Sequence, residues 1–348
     1  MTLDEAELLV TVEEALGHLQ LNRPRRLNAL TPAMMTGVRA ALADWRDDPT
    51  VQVVLVDGVG ERGLCAGADI RALATALGPG APGPAPDEAA RAAVAREVLG
   101  LEYAMNLDLA TFAKPVVAFM DGIVLGGGVG VSAHSSLRVV TERTQVGMPE
   151  TAIGLCPDVG ALFLLARAPG QCGMHAALTG SRFGAADAIT LGLADAFVPS
   201  ADLPDLLDGL RGGELPALSA DGAVPGSLEG DRAWIDACYV GDDVPTMIAA
   251  LAARPEPAAR GAAATLGRMS PFALAVTAIA VRRAETLDLA GVLDQDLNVC
   301  SRLAARPDFA EGVRAKIIDK DDDARWQPAT LDAVDPAAVE ACFAGSND

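Results

Sequence analysis

The sequence predicts an α/β core followed by a mostly helical C-terminal region, and three observations lead there. Short apolar runs alternate with helix-forming stretches over residues 1–210, the pattern of an α/β fold. Two of these runs, residues 51–56 and 115–120, close on the same Asp-Gly punctuation, at Asp57-Gly58 and Asp121-Gly122. Beyond a stretch rich in Gly, Pro, Ser and Asp at 211–230, the apolar spacing becomes helical. The expected organisation is therefore a core at 1–210, a linker at 211–230 and a helical region at 231–348, within a length that suits one large domain or two.

Each element has a local reason. Residues 8–12 and 15–21 read as two strands around the acidic turn Glu13-Glu14. Thr31-Pro32 combines a capping hydroxyl with proline at the first helical position, so a helix starts there and runs through Leu42 and Trp45 towards Asp47-Asp48-Pro49. Residues 51–56 are almost continuously apolar, as a strand buried on both faces must be. Residues 115–120 and 137–140 repeat that pattern. The run GPGAPGPAP at 78–86 can hold neither helix nor strand. It is either a flap or an ordinary exposed loop. Ser270-Pro271 caps a helix carrying Phe272, Leu274, Val276 and Ile279, and a further helix spans 287–303.

Charge and composition remove several function classes. Against 27 Lys and Arg stand 47 Asp and Glu, a formal net charge of −20, which opposes nonspecific binding to nucleic acid or an anionic membrane. No stretch of about 18 apolar residues lacks a charge, so no membrane span is expected. The opening Met1-Thr2-Leu3-Asp4-Glu5 is acidic where a targeting signal would be basic, which leads to a cytoplasmic expectation. Six cysteines (Cys65, Cys156, Cys172, Cys238, Cys300, Cys342) are scattered without a CxxC pair, as expected of reduced thiols. His18, His134 and His175 are far apart, and no metal motif is present.

Two glycine-rich turns carry the chemical signal. Cys65-Ala66-Gly67-Ala68-Asp69-Ile70 follows the strand at 51–56, and its small side chains let a ligand approach the backbone. Leu125-Gly126-Gly127-Gly128-Val129-Gly130 follows the strand at 115–120 and opens a helix, where exposed N–H groups favour negative charge. It lacks the Lys-Ser/Thr of a phosphate-binding P-loop and any GxGxxG spacing. Two turns that each offer one N–H are what a thioester carbonyl needs as its negative charge develops, each donor being worth about 3–4 kcal/mol.

With Leu21-Asn22-Arg23-Pro24 and Leu27-Asn28-Ala29-Leu30, these turns resemble the crotonase (enoyl-CoA hydratase/isomerase) superfamily. The resemblance implies a ClpP/crotonase-like fold of repeated ββα units, in two roughly perpendicular sheets with a helical C-terminal region. It places an oxyanion hole at the N–H groups of Ala68 and Gly127. It also implies that the loop from Arg23 to Ala29 borders the CoA nucleotide, with Arg25, Arg26 and Ala29 at the substrate. Arg23 and Arg71 are further candidates for the basic patch that an anionic ligand needs on so acidic a chain. Coenzyme A would enter as part of an acyl-CoA substrate, and no separate cofactor is expected.

Carboxylates sharpen the resemblance. Met148-Pro149-Glu150-Thr151-Ala152-Ile153-Gly154 matches the active-site glutamate of the superfamily at Glu150. Enoyl-CoA hydratases carry a second glutamate three residues after the oxyanion glycine, and here that position is Gly130. Asp158, in Pro157-Asp158-Val159-Gly160, stands where hydratases usually carry glycine; it resembles the aspartate of the 3-hydroxyisobutyryl-CoA hydrolases, and it also suits an N-cap for the next helix. Glu102 matches a substrate-contacting glutamate of those hydrolases. Similarity to them also covers Met269-Ser270-Pro271 and the segment from Glu311 to Asp321, so it extends over roughly residues 8–345. Ala68 and the segment 160–167 depart from the hydrolase pattern, which leaves the acyl group open.

The resemblance thus implies hydrolysis of a 3-hydroxyacyl-CoA such as 3-hydroxyisobutyryl-CoA, a reaction of valine breakdown, with Glu150 as nucleophile or general base. The alternatives are an enoyl-CoA hydratase or double-bond isomerase, and a non-catalytic CoA-binding protein. Family members often form homo-oligomers, although the hydrolases differ, and the sequence does not fix the oligomeric state.

Overall fold

The hairpin read from residues 8–21 opens a six-stranded sheet. A computed structural model describes residues 6–77 and 87–345; the Gly- and Pro-rich run at 78–86 lies outside the described residues. Strands β1 (Leu8–Glu13) and β2 (Leu16–Leu21) pair antiparallel, and Glu14 turns between them at φ 54°. Then β3 (Val53–Gly58), β4 (Val116–Met120), β6 (Leu137–Val140) and β8 (Ala196–Phe197) add in parallel, in the order β1-β2-β3-β4-β6-β8. A second, two-stranded sheet pairs β5 (Ile123–Leu125) with β7 (Gln145–Gly147).

Three main-sheet strands are each followed by a short partner in the second layer. After β3 comes Cys65, bridged to Val124 of β5; after β4 comes β5; after β6 comes β7. This is the ββα repeat. Leu16, Val53, Leu55, Val117, Phe119 and Val139 pack as one core cluster with Val198 and Leu210. Helix α1 (Pro32–Trp45) begins as the sequence indicates, with Thr31 Oγ1 accepting the Met34 N–H at 3.3 Å and proline at the first position. Gly17 of β2 is dictated by that helix: a β-carbon there would stand 2.8 Å from the Trp45 ring.

The strands and α1 fall in one compact unit (Met1–Ala68, Leu101–Gly147, Arg182–Gly226), and a second comprises Asp69–Gly100, Met148–Ser181 and Ser227–Asp348. Helix α2 (Ile70–Leu77) lies in the second unit, and α3 (Glu88–Ala110) contributes residues to both. The second unit is helical. Helix Pro271–Ala284 is capped by Ser270, whose Oγ accepts the Ala273 N–H at 3.2 Å, and helix Leu289–Ala305 by Asp288. Phe272, Leu274, Val276 and Val281 are buried, each contributing about 1.5–3 kcal/mol of transfer free energy. Among the described residues no single helix is long and apolar enough to cross a membrane.

Candidate active site

In the first unit, the two glycine-rich turns are stitched together by backbone hydrogen bonds. Leu125 N–H donates to the Cys65 carbonyl at 3.0 Å, Ala66 N–H to Leu27 at 2.9 Å, and Leu30 N–H to Gly67 at 2.9 Å. Gly67 needs its φ of 106° to make this turn. Asn28 orders the loop from below: it is 1% exposed, accepts the Arg23 N–H at 2.9 Å and donates to the carbonyls of Val59 and Gly63.

The second turn leads into α4 (Gly127–Gly130), a helix of only four residues. Its dipole is correspondingly small, so what it offers is individual N–H groups. A β-carbon on Gly127 would lie 3.1 Å from the Ala68 nitrogen and 2.2 Å from Glu102 Oε1. Ala68, Gly127 and the buried Glu102 of α3 therefore converge. Cys65 is beside them but is no nucleophile: burial, reinforced by the charge of Glu102, pushes its thiol up to about 12.

The arginines divide. Arg23 is engaged structurally, with Nε 3.0 Å from Glu7 and Nη1 donating to the Ala29 carbonyl at 2.6 Å. Arg25 and Arg26 are exposed on the single turn Pro24–Arg26. Arg71, in the second unit, donates to the carbonyl of Ile317.

The second unit holds Glu150 and Asp158, both 7% exposed. Glu150 starts the short 3-10 turn Glu150–Ile153, and its carbonyl accepts the Leu155 N–H at 3.0 Å. The turn is pinned from outside. Thr151 donates through Oγ1 to Leu178 and accepts the Ser270 N–H, while Gly154, at φ 76°, packs against the Asp308 backbone. The capping role expected of Asp158 falls instead to Gly160, which has φ 76° and no capping side chain, before α5 (Ala161–Leu165). The left-handed bend at Val159 and Gly160 separates Asp158 from the helix start.

Two buried carboxyls of the second unit escaped the sequence reading. Asp308 accepts from Ser270 Oγ and from the Gln327 N–H, each at 2.6 Å, and burial raises its pKa. Asp296 accepts the Gly160 N–H at 2.9 Å. Asp296 had a visible signal: it interrupts the apolar stripe Val292, Val299, Leu303 of its helix. The remaining buried groups suit acid–base chemistry less well. His175 bonds Tyr239 and is pushed down to about 4 by burial, and Cys156 and Cys300 are raised by burial. Among the described residues no cluster of His, Cys, Asp and Glu could hold a metal ion.

Residues 16–343 match the model of the enoyl-CoA hydratase/isomerase family. The mitochondrial 3-hydroxyisobutyryl-CoA hydrolase of Gallus gallus is 34% identical over 99% of this chain and 90% of its own length. Two crystal structures are also similar. A carnitinyl-CoA dehydratase from Mycobacterium thermoresistibile is 42% identical with a TM-score of 0.88, covering 99% of this chain and 98% of its own. An enoyl-CoA hydratase from Rhodobacter sphaeroides 2.4.1 is 40% identical with a TM-score of 0.91, covering 98% of each. The architecture is the crotonase fold, the class of acyl-CoA enzymes to which these proteins belong. The chain belongs to the enoyl-CoA hydratase/isomerase family.

Proposed function

We propose that this protein hydrolyses the thioester of a 3-hydroxyacyl-CoA, in the first place 3-hydroxyisobutyryl-CoA, giving the free 3-hydroxy acid and CoA. The observation that carries this reading is the carboxylate inventory. Glu150 and Asp158 are both present and buried, whereas the position of the second hydratase glutamate is Gly130, at the end of α4. The name of the Gallus gallus relative supports the same reaction.

In this reading the N–H groups of Ala68 and Gly127 receive the thioester oxygen as it becomes negative. Glu150 then acts in one of two ways. As nucleophile, its carboxylate attacks the carbonyl carbon, the C–S bond breaks and CoA leaves as thiolate; water cleaves the resulting anhydride. As general base, it takes a proton from the water that attacks directly. Asp158 and Glu102 bind the substrate hydroxyl or position that water. Arg25, Arg26 and Ala29 face the CoA nucleotide.

A second reading, addition of water to an enoyl-CoA or its reverse, is favoured by the similarity to a carnitinyl-CoA dehydratase and an enoyl-CoA hydratase. One assay separates the two. Purified protein is mixed with 3-hydroxyisobutyryl-CoA, other 3-hydroxyacyl-CoAs and crotonyl-CoA, and both free thiol and the loss of the enoyl double bond are followed. Thiol release from the 3-hydroxyacyl esters is expected. Fast crotonyl-CoA hydration without thiol release would overturn the hydrolase reading.

A further inference from the structure

Asp296 is a buried carboxyl, 2% exposed, that the proposed chemistry does not use. It sits on helix Leu289–Ala305 among Val292, Val299, Cys300 and Leu303, all buried. An ionised aspartate is rarely found there without a partner. Its Oδ2 accepts the Gly160 N–H at 2.9 Å. One turn further along the same helix, Cys300 Sγ donates to the Cys156 carbonyl at 3.4 Å. The helix thus holds the chain at 156 and again at 160, on either side of Asp158. Between those points Val159 has φ 55° and Gly160 has φ 76°. The left-handed region is costly for a β-branched residue and persists only where the surroundings enforce it.

We propose that Asp296 is a positioning residue for Asp158: its carboxyl locks the left-handed Val159-Gly160 bend and so fixes where the Asp158 carboxylate is presented. The proposal rests on the role given to Asp158 above. Electrostatics agree with the geometry. Burial, and then the charge of Asp158, raise Asp296 well above the ordinary carboxylate range, and the Gly160 N–H only partly opposes them. Titratable groups beside the pair include the thiols of Cys156 and Cys300, with Glu150 acting on Cys156; burial raises both thiols, so they stay neutral. The shift favours the neutral acid, which accepts the Gly160 N–H without placing a second negative charge beside Asp158. As pH rises through its raised pKa that second charge appears, the bend loosens, and a basic limb in kcat follows.

The test compares Asp296→Ala, Asp296→Asn and Asp158→Asn with wild type, using 3-hydroxyisobutyryl-CoA across neutral and alkaline pH. Asp296→Ala should lower kcat by about tenfold or more while KM changes by less than about threefold, because only positioning is lost. Asp296→Asn keeps a neutral acceptor for Gly160, so it should retain kcat within about threefold and lose the basic limb. Wild-type kcat in Asp296→Ala, or an unchanged basic limb in Asp296→Asn, overturns the proposal. Should Asp296→Ala fail to fold, the pH profile of Asp296→Asn decides alone. Loss of turnover in Asp158→Asn but not in Asp296→Ala fails the positioning role only, whereas full turnover in Asp158→Asn fails the reading of Asp158 and the proposal with it. If the wild type releases no thiol, the functional reading fails, and the thermal midpoint decides on the locked bend. Asp296→Asn should then gain on wild type as pH rises, and an unchanged difference rules out the neutral acid.

Discussion

Glu102 Oε1 lies so close to the backbone of Gly127 that a β-carbon there would stand 2.2 Å from it. The same β-carbon would be 3.1 Å from the Ala68 nitrogen, so one methyl group intrudes on the Ala68 donor and on the carboxylate. Gly127→Ala should therefore lower kcat/KM for thiol release by about 100-fold, close to 2.7 kcal/mol, the loss of one oxyanion donor. The Gly127 φ lies outside the left-handed set, so the backbone conformation suits alanine, and far-UV circular dichroism should be unchanged. Full activity would show that no substrate oxygen occupies this corner.

His175 makes stability depend on acid. Burial pushes it down to about 4, and its Nδ1 is 2.9 Å from the Tyr239 hydroxyl. The unfolded chain takes up this proton near pH 6.5, whereas the folded chain refuses it until about pH 4. The contribution is thus fully present above about 6.5 and is lost as pH falls towards 4. Urea denaturation at several pH values in that window should show stability falling by about 2–4 kcal/mol, a part that His175→Gln removes. An identical slope in both proteins would reject the assignment to His175.

Legibility in the sequence followed the range of the forces involved. The Thr31-Pro32 helix start and the apolar strands β4 and β6 are local signals and appear where the sequence places them, whereas β3 runs two residues later than expected and takes in Asp57-Gly58. The second layer was legible only through the family resemblance and not as a local pattern: β5 and β7 are three residues each, too short to show an alternation. Asp158 looked like a cap because the sequence does not reveal that Val159 and Gly160 both turn left-handed before the helix. Asp296 meets Gly160 across 136 residues and Asp308 meets Ser270 across 38. No pattern within one segment reports pairings of that length, although a lone aspartate in an apolar helix stripe asks for one.

Asp308 ties three segments together, and its removal should be felt at Glu150. The carboxyl accepts from Ser270 Oγ and the Gln327 N–H, while its backbone packs on Gly154, at the end of the Glu150 turn. Asp308→Ala leaves the buried Ser270 hydroxyl and the part-buried Gln327 N–H without their acceptor, a cost of about 1–3 kcal/mol for the buried donor. Chemical denaturation should show a loss of that order. Asp308→Asn, which keeps an acceptor, should lose less. Equal losses in the two variants would mean that packing, not hydrogen bonding, holds the turn.

Glu150 carries the most decisive outcome. Its carboxylate is buried, and its backbone is fixed by Leu155, Thr151 and Ser270. Glu150→Gln changes one oxygen for an amide nitrogen and leaves those backbone contacts intact. Glutamine can neither attack a thioester nor accept a proton effectively near neutral pH. Thiol release should fall by at least about 1,000-fold, a little over 4 kcal/mol of transition-state stabilisation. Binding of a CoA ester, measured by calorimetry, should stay within about threefold, because Ala68, Gly127 and the exposed arginines are untouched. Wild type should hydrate crotonyl-CoA poorly beside its hydrolysis of 3-hydroxyisobutyryl-CoA, since Gly130 offers no second carboxylate to share a water with Glu150. Retained hydrolysis in Glu150→Gln would move the chemistry to Asp158 or Glu102. Lost binding would instead show that Glu150 holds the substrate rather than transforms it.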